Sequence, residues 1–107
     1  MNKILVLYAF FEKDKNSQNN LDFFIKNAYH EELDFIFIIN GYTDYSFPSY
    51  KNFKIIRRPN IGFDFGGWRE GLKNTIQEYD YYIFLNSSIK GPFLPSYCLN
   101  KIKWYVL

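Results

Sequence analysis

The stretch Arg57–Gly71, RRPNIGFDFGGWREG, places four glycines, a proline, an aspartate and a tryptophan between two clearly patterned segments. Glycine costs about 0.5–1 kcal/mol relative to alanine inside regular structure, so a cluster of them marks a sharp turn or a close backbone approach. Before it, Phe53–Ile56 is a short apolar run with the character of a strand. After it, WREGLKNTIQEY carries Trp68, Leu72, Ile76 and Tyr79 at helical spacing. The cluster therefore joins a strand to a helix that begins inside it. Gly62 is expected to take a positive-φ turn, and Gly66 and Gly67 to let the helix start close to a sheet.

The same alternation extends in both directions. Ile4–Phe10 is a continuous apolar run, as expected of a strand buried on both faces of a parallel sheet. Leu21, Phe24, Ile25 and Ala28 recur at helical spacing, with Ser17 or Asn19 placed to cap the start and His30 near the end. LDFIFII, Leu33–Ile39, is a second buried strand closed by the turn pair Asn40-Gly41. Tyr81–Leu85 is a fourth, and NSSIKGPFLP leaves it as a loop. Strand, helix, strand, strand, helix, strand is the order of an α/β layer structure: a mostly parallel sheet of about four strands with two crossover helices.

At 107 residues the chain has room for one domain, residues 1–107. Hydrophobic residues make up 48% and aromatic residues 22%, which excludes a disordered chain. The net charge is only +2 and the basic residues are scattered, so nothing points to nucleic acid or an anionic membrane. The single cysteine, Cys98, excludes an internal disulfide and a multi-cysteine metal site, and fits a reducing, cytoplasmic setting. The apolar N-terminal run is followed by Glu12, Lys13, Asp14 and Lys15 rather than a small-residue cleavage site, so it reads as a strand and not a signal peptide. No apolar run approaches the ~20 residues of a membrane span.

In open α/β sheets ligands bind beyond the carboxyl ends of the strands. The four loops there are Tyr8–Phe11, Asn40–Asp44, Pro59–Gly67 and Asn86–Gly91, all polar or glycine-bearing. GFDFGG is not a P-loop, lacking the lysine and the following Ser or Thr, and its glycines are wrongly spaced for a dinucleotide fingerprint. Asp64, between two phenylalanines at an incipient helix, caps that helix or meets a ligand hydroxyl or base. His30 has no cysteine or second histidine for company and is expected to favour a helix C-terminus. Most tyrosines and phenylalanines fall on core positions; Tyr8, Tyr42, Tyr45 and Trp68 are the exceptions that could stack on a sugar.

RRPNIGFDFGGWREGL followed by YDYYIFLNSSIKGPFLP resembles the N-terminal, nucleotide-sugar-binding half of GT-A-type glycosyltransferases, particularly the rhamnan-synthesis-like transferases. The order of elements matches over Ile4 to Pro95, the motifs themselves over Asn60–Trp68 and Asn86–Pro92. The resemblance implies a partial GT-A, Rossmann-like fold and a nucleotide-diphosphate sugar, UDP- or dTDP-linked, as donor. It implies that Tyr8 and Ala9 line the base and that Asn40 or Asp44 stands at the second-strand acid position. Asn60, Gly62 and Asp64, with Gly66 and Gly67 behind them, would meet the nucleoside and its sugar.

The chain departs from that pattern where many such enzymes carry Asp-x-Asp, for here stand Asn86, Ser87 and Ser88. Neutral Asn and Ser oxygens are poor ligands for Mg²⁺ or Mn²⁺, so no metal ligand is assigned and the expected requirement for a divalent metal is weak or absent. Lys90, or Arg57 and Arg58, could hold a diphosphate through charge-assisted hydrogen bonds instead. No catalytic base is identified, and the glycan acceptor would be bound by a later segment. The competing expectation is an inactive or truncated module that binds a nucleotide, a glycan or a protein partner. The apolar end CLNKIKWYVL is expected to drive self-association or to need a covering segment.

Overall fold

The computed structural model describes residues 3–59, 63–75, 77–87 and 105–106. In chain order the elements are β1 (Ile4–Phe10), α1 (Lys15–Ala28), β2 (Leu33–Asn40), β3 (Phe53–Arg58), α2 (Phe63–Lys73), β4 (Tyr81–Asn86) and β5 (Tyr105–Val106). The strands form one sheet in the order β3-β2-β1-β4-β5, with every neighbouring pair parallel. The α/β class, the parallel Rossmann-like sheet and both crossover helices are as the sequence pattern predicts. The fifth strand is not. Tyr105 and Val106, to which the sequence pattern assigns no strand, pair in register with Ile83 and Phe84 of β4.

β1 is central and wholly buried, with β2 on one side and β4 on the other. Its alternate side chains feed two separate cores. Ile4, Val6, Tyr8 and Phe10 face α1, where they meet Leu21, Phe24, Ile25 and the odd-numbered residues of β2. Leu5, Leu7 and Ala9 face α2, with Ile36, Ile38 and Trp68. The two helices thus cover opposite faces of the sheet.

The α1 face is largely aromatic. Tyr8 lies 5.0 Å from Phe24 and 5.7 Å from Phe37 between ring centroids. Phe35 and Phe37 are stacked, with Phe53 edge-on to Phe35 at 5.1 Å. Large, offset rings fill volume that would otherwise need many aliphatic side chains. α1 starts one turn earlier than either Ser17 or Asn19 would allow as a cap. Asp14 is the N-cap, accepting from the Asn16 N–H at 2.9 Å, and the Ser17 hydroxyl accepts from the Asp14 N–H at 3.3 Å. Ser17 is therefore the partner in a capping box rather than the cap itself.

The α2 face is built differently. Trp68 is buried, but Leu72 is 41% exposed and Tyr79 lies beyond the helix, while Ile76 is outside the described residues. The apolar stripe expected over those four positions is replaced by a flatter one, Gly67, Trp68 and Gly71. A Cβ on Gly71 would lie 2.5 Å from Leu7 Cδ2 and 3.1 Å from Ile38 Cδ1, and one on Gly67 would lie 3.4 Å from Ala9 Cβ. The helix rests its backbone on β1 and β2, and Trp68 fixes it by donating from Nε1 to the Leu85 carbonyl at 2.9 Å.

Gly71→Ala should therefore destabilise the fold. Overpacking costs about 1–3 kcal/mol against a gain of about 1 kcal/mol in helix propensity, and Gly67→Ala, with softer contacts, should cost less. Urea denaturation of the two variants measures both, and a Gly71→Ala protein as stable as wild type would show that the helix can lift from the sheet freely.

Candidate functional site

All strands point the same way, so their carboxyl ends share one edge. A crevice opens in such a sheet where chain segments leave adjacent strands toward opposite faces. Here the strand after β1, β2, lies on one side and the strand after β4, β5, on the other, so the order reverses and the crevice lies between β1 and β4. The Ser87 hydroxyl spans it, accepting from the Phe11 N–H at 3.4 Å and donating to the Phe11 carbonyl at 3.2 Å. Asn20 of α1 donates to the Ser87 carbonyl at 3.3 Å. Asn86, the last residue of β4, is in register with Ala9. Phe11, just past the end of β1, is 42% exposed.

Beside it, Asn40 ends β2 as a nearly fully buried polar residue in an otherwise apolar strand. Its Oδ1 accepts from Arg58 Nη1 at 2.7 Å, and its Nδ2 lies 3.0 Å from where a Gly67 Cβ would sit. A guanidinium bound to a buried amide satisfies the amide and directs the cation along the strand ends. The next residue, Gly41, takes φ 86°, the left-handed value that glycine adopts without steric cost, and its N–H donates to the Arg58 carbonyl at 2.8 Å. The turn sends Tyr42 outward, 80% exposed.

A third polar group ties the loop after β2 to α1. Gln18 Nε2 donates to Glu12 at 2.6 Å and to Asp44 at 2.7 Å, and the Thr43 hydroxyl donates to Glu12 at 2.6 Å. Below them the Tyr45 hydroxyl donates to Asp22 at 3.0 Å, and Asp22 pairs with Lys26 at 2.8 Å. The hydrogen bonds from Lys26 and then Tyr45 hold the Asp22 carboxyl below the usual range.

The sequence-predicted residues fall into distinct positions. Asn86 and Ser87 meet the end of β1 at the crevice; Asn40 and Gly67 touch one another beside it; Asp44 sits on the α1 side. Gly66 lies half-buried on α2. Tyr8 and Ala9 are fully buried, Tyr8 among aromatic rings of the α1 face and Ala9 under Gly67. Burial pushes the Tyr8 hydroxyl well above the ordinary tyrosine value, and it finds no hydrogen-bond partner among the described residues. Asp64 has its backbone in the first turn of α2, while Asn60, Gly62, Ser88 and Lys90 lie outside the described residues.

His30 stands past the end of α1, and its Nδ1 accepts from the Glu32 N–H at 3.0 Å, a local turn contact. Arg58, Gln18 and Glu12 are organising residues that periodicity does not reveal. The available signal was a lone asparagine closing an apolar strand, which demands a buried partner. Among the described residues no three His, Cys, Asp or Glu side chains come together as a metal-binding group, and no helix is long and apolar enough to cross a membrane.

Tyr45 links this region to pH. Burial first, and the Asp22 carboxylate second, raise its hydroxyl above the ordinary value of about 10. A group raised on folding contributes stability that is full below its unfolded value and is lost as pH rises above it. Tyr45→Phe should therefore flatten the fall in melting temperature above about pH 10, which a series of melts from neutral to alkaline pH would reveal; an unchanged slope would show that the hydroxyl titrates freely.

Among curated proteins and solved structures, none matches the chain significantly. A family model described as rhamnan synthesis protein F matches residues 42–101, from the loop after β2 through β3, α2 and β4. That span is more than half of the 107 residues, and it contains both motifs on which the sequence resemblance rests. With its parallel sheet and its polar strand-end edge, the chain belongs to the rhamnan synthesis protein F family.

Proposed function

We propose that this chain takes part in polysaccharide synthesis as the donor-binding domain of a glycosyltransferase, receiving a nucleotide-diphosphate sugar at the crevice between β1 and β4. The observation that carries the reading is the convergence of Ser87, Asn86 and Phe11 at the place where parallel α/β sheets receive ligands. Family membership supports it by placing the chain among rhamnan synthesis proteins, through a match over residues 42–101 that includes β4.

In this reading Phe11 supplies the apolar wall for the base. Asn86 and Ser87 offer hydrogen-bonding groups to the ribose and diphosphate, while Asn40 holds Arg58 at the end of β2, on the far side of β1. Asp64, in the first turn of α2, is assigned to the sugar hydroxyls, and a helix N-terminus favours anionic phosphate. Catalysis would proceed by positioning the donor and stabilising the departing diphosphate. A divalent ion, where bound, would neutralise the diphosphate, but Asn86 and Ser87 are weak ligands for it. The positive charge then falls to arginine and lysine side chains.

Thermal-shift measurements with UDP, dTDP and unrelated nucleotides test this. A ligand at a hundredfold its Kd stabilises the fold by about 2.7 kcal/mol, so one pyrimidine diphosphate should raise the melting temperature and the unrelated nucleotides should not. Asp64→Ala should weaken that ligand by about tenfold, the loss of one charge-assisted hydrogen bond, while the unliganded protein melts almost as before. Adding Mn²⁺ should change the affinity little. Indifference to every nucleotide would defeat the proposal, and a large gain with Mn²⁺ would show that carboxylates complete a metal site.

A further inference from the structure

A second recess lies at the outer edge of the sheet, on the α1 side of β3. It is an open groove of about 690 Å³, within the roughly 300–1,000 Å³ of small-molecule sites. Asp44, Tyr45, Ser46 and Phe47 from the loop after β2 form one wall; Ile55 and Arg57 of β3 form the other. Ile55 and Arg57 lie two apart on the strand and so face the same side, whereas Arg58 faces the other and is bound to Asn40. The groove and the crevice between β1 and β4 are therefore different places on one strand-end edge. Two strand spacings, about 10 Å, separate β3 from β1.

The lining has a definite chemical character. Arg57 is exposed, and among the described residues its guanidinium has no hydrogen-bond or ion-pair partner. Asp44 is also exposed; one of its oxygens accepts from Gln18, and the other is uncommitted among the described residues. Tyr45 and Phe47 meet edge-to-face at 5.0 Å and are anchored from behind, Tyr45 on Asp22 and Phe47 against Phe37. A planar cation, a carboxylate and a hydroxyl thus surround an apolar floor. A diphosphate suits this poorly, since Asp44 offsets the one cation and repels an anion at close range. A neutral polyol suits it well. Its hydroxyls can donate to the carboxylate and accept from the guanidinium, and its C–H face can rest on Phe47 and Ile55.

We propose that this groove is a saccharide-binding site, distinct from the donor crevice, that holds a segment of neutral glycan with a partly apolar face. A 6-deoxyhexose unit, the kind of sugar from which a rhamnan is built, presents a methyl group that matches Ile55. The proposal stands on the groove and on family membership, and it does not require the donor reading. It also puts a glycan contact within the described residues, where the sequence pattern assigns acceptor binding to a later segment.

Titration of the ¹⁵N-labelled chain with a rhamnose disaccharide tests it, with UDP and dTDP as separate arms. The disaccharide should cause saturable shifts at the amides of Asp44, Ser46, Phe47 and Arg57 and leave Ser87 unmoved. Arg57→Ala and Asp44→Asn should each weaken it by about tenfold, as expected on losing a hydrogen bond to a charged group. Both variants should melt like wild type, because Arg57 has no partner to lose and the amide that replaces the Asp44 carboxylate keeps an oxygen for Gln18. A disaccharide that causes no saturable shift, or whose affinity neither variant alters, overturns the proposal. So does a nucleotide that moves the groove amides and displaces the sugar. Nucleotide arms silent at Ser87, beside an intact sugar response, would count against the donor reading alone.

Discussion

Where α2 crosses β1 and β2, Gly71 leaves no room for a Cβ and Gly67 leaves little, and most of the architecture follows from that. Helices usually pack on a sheet through a layer of Leu, Ile or Val. Here the layer is reduced to Trp68, while Gly71 lies over Leu7 and Ile38 and Gly67 over Ala9 and Asn40. The close approach sets the height of the whole strand-end edge, because Gly67 sits directly on the residue that closes β2. It also explains how the fold tolerates a buried asparagine. With the helix backbone pressed against it, the Asn40 amide is shielded from water and must find its partner within the protein, which Arg58 supplies. The glycine-rich stretch thus serves the packing of the sheet at the same place where it borders the candidate donor crevice.

The two faces of the sheet divide the labour. The α1 face is thick and aromatic, with rings from β1, β2, β3 and α1 in mutual contact. The α2 face is thin, with few large side chains other than Trp68 and the partly buried tyrosines of β4 and its approach. A thick layer gives the loop after β2 something to stand on, since Tyr45 and Phe47 extend the aromatic cluster to the rim. Polar groups at the rim inherit that rigidity: Thr43, Asp44 and Glu12 are held by Gln18 and by each other rather than left to solvent.

Much of this was legible beforehand because buried parallel strands leave continuous apolar runs. Ile4–Phe10 and Leu33–Ile39 read directly as strands, and the helix starting within FDFGGW followed from the spacing after it. The expected α2 stripe was less accurate, since hydrophobic periodicity takes glycine for an absence of packing. At Gly67 and Gly71 glycine is the packing residue, and Leu72 is left outside. The cap of α1 was displaced because Ser17 can accept from the backbone either as the cap or as the third residue of a capping box, and composition does not separate the two. β5 was missed because two residues are too few for a period. At the strand ends, loops could be identified but the pairings within them could not. Asn40 with Arg58 and Gln18 with Glu12 and Asp44 join residues six to twenty-six positions apart through side chains alone.

The position of β1 has a consequence for the growing chain. Its pairing with β2 can form early, but its other edge waits for β4, and the contact between Lys3 and Asp80 closes a separation of 77 residues. Until Trp68 and β4 have been made, Leu5, Leu7 and Ala9 lack their cover and one full row of β1 backbone groups lacks a partner. A half-synthesised chain therefore presents an apolar strand with an open edge, the kind of surface that recruits other strands. Emergence of α2 and then of β4 covers that face and pairs that edge, so the first strand made is among the last to be completed.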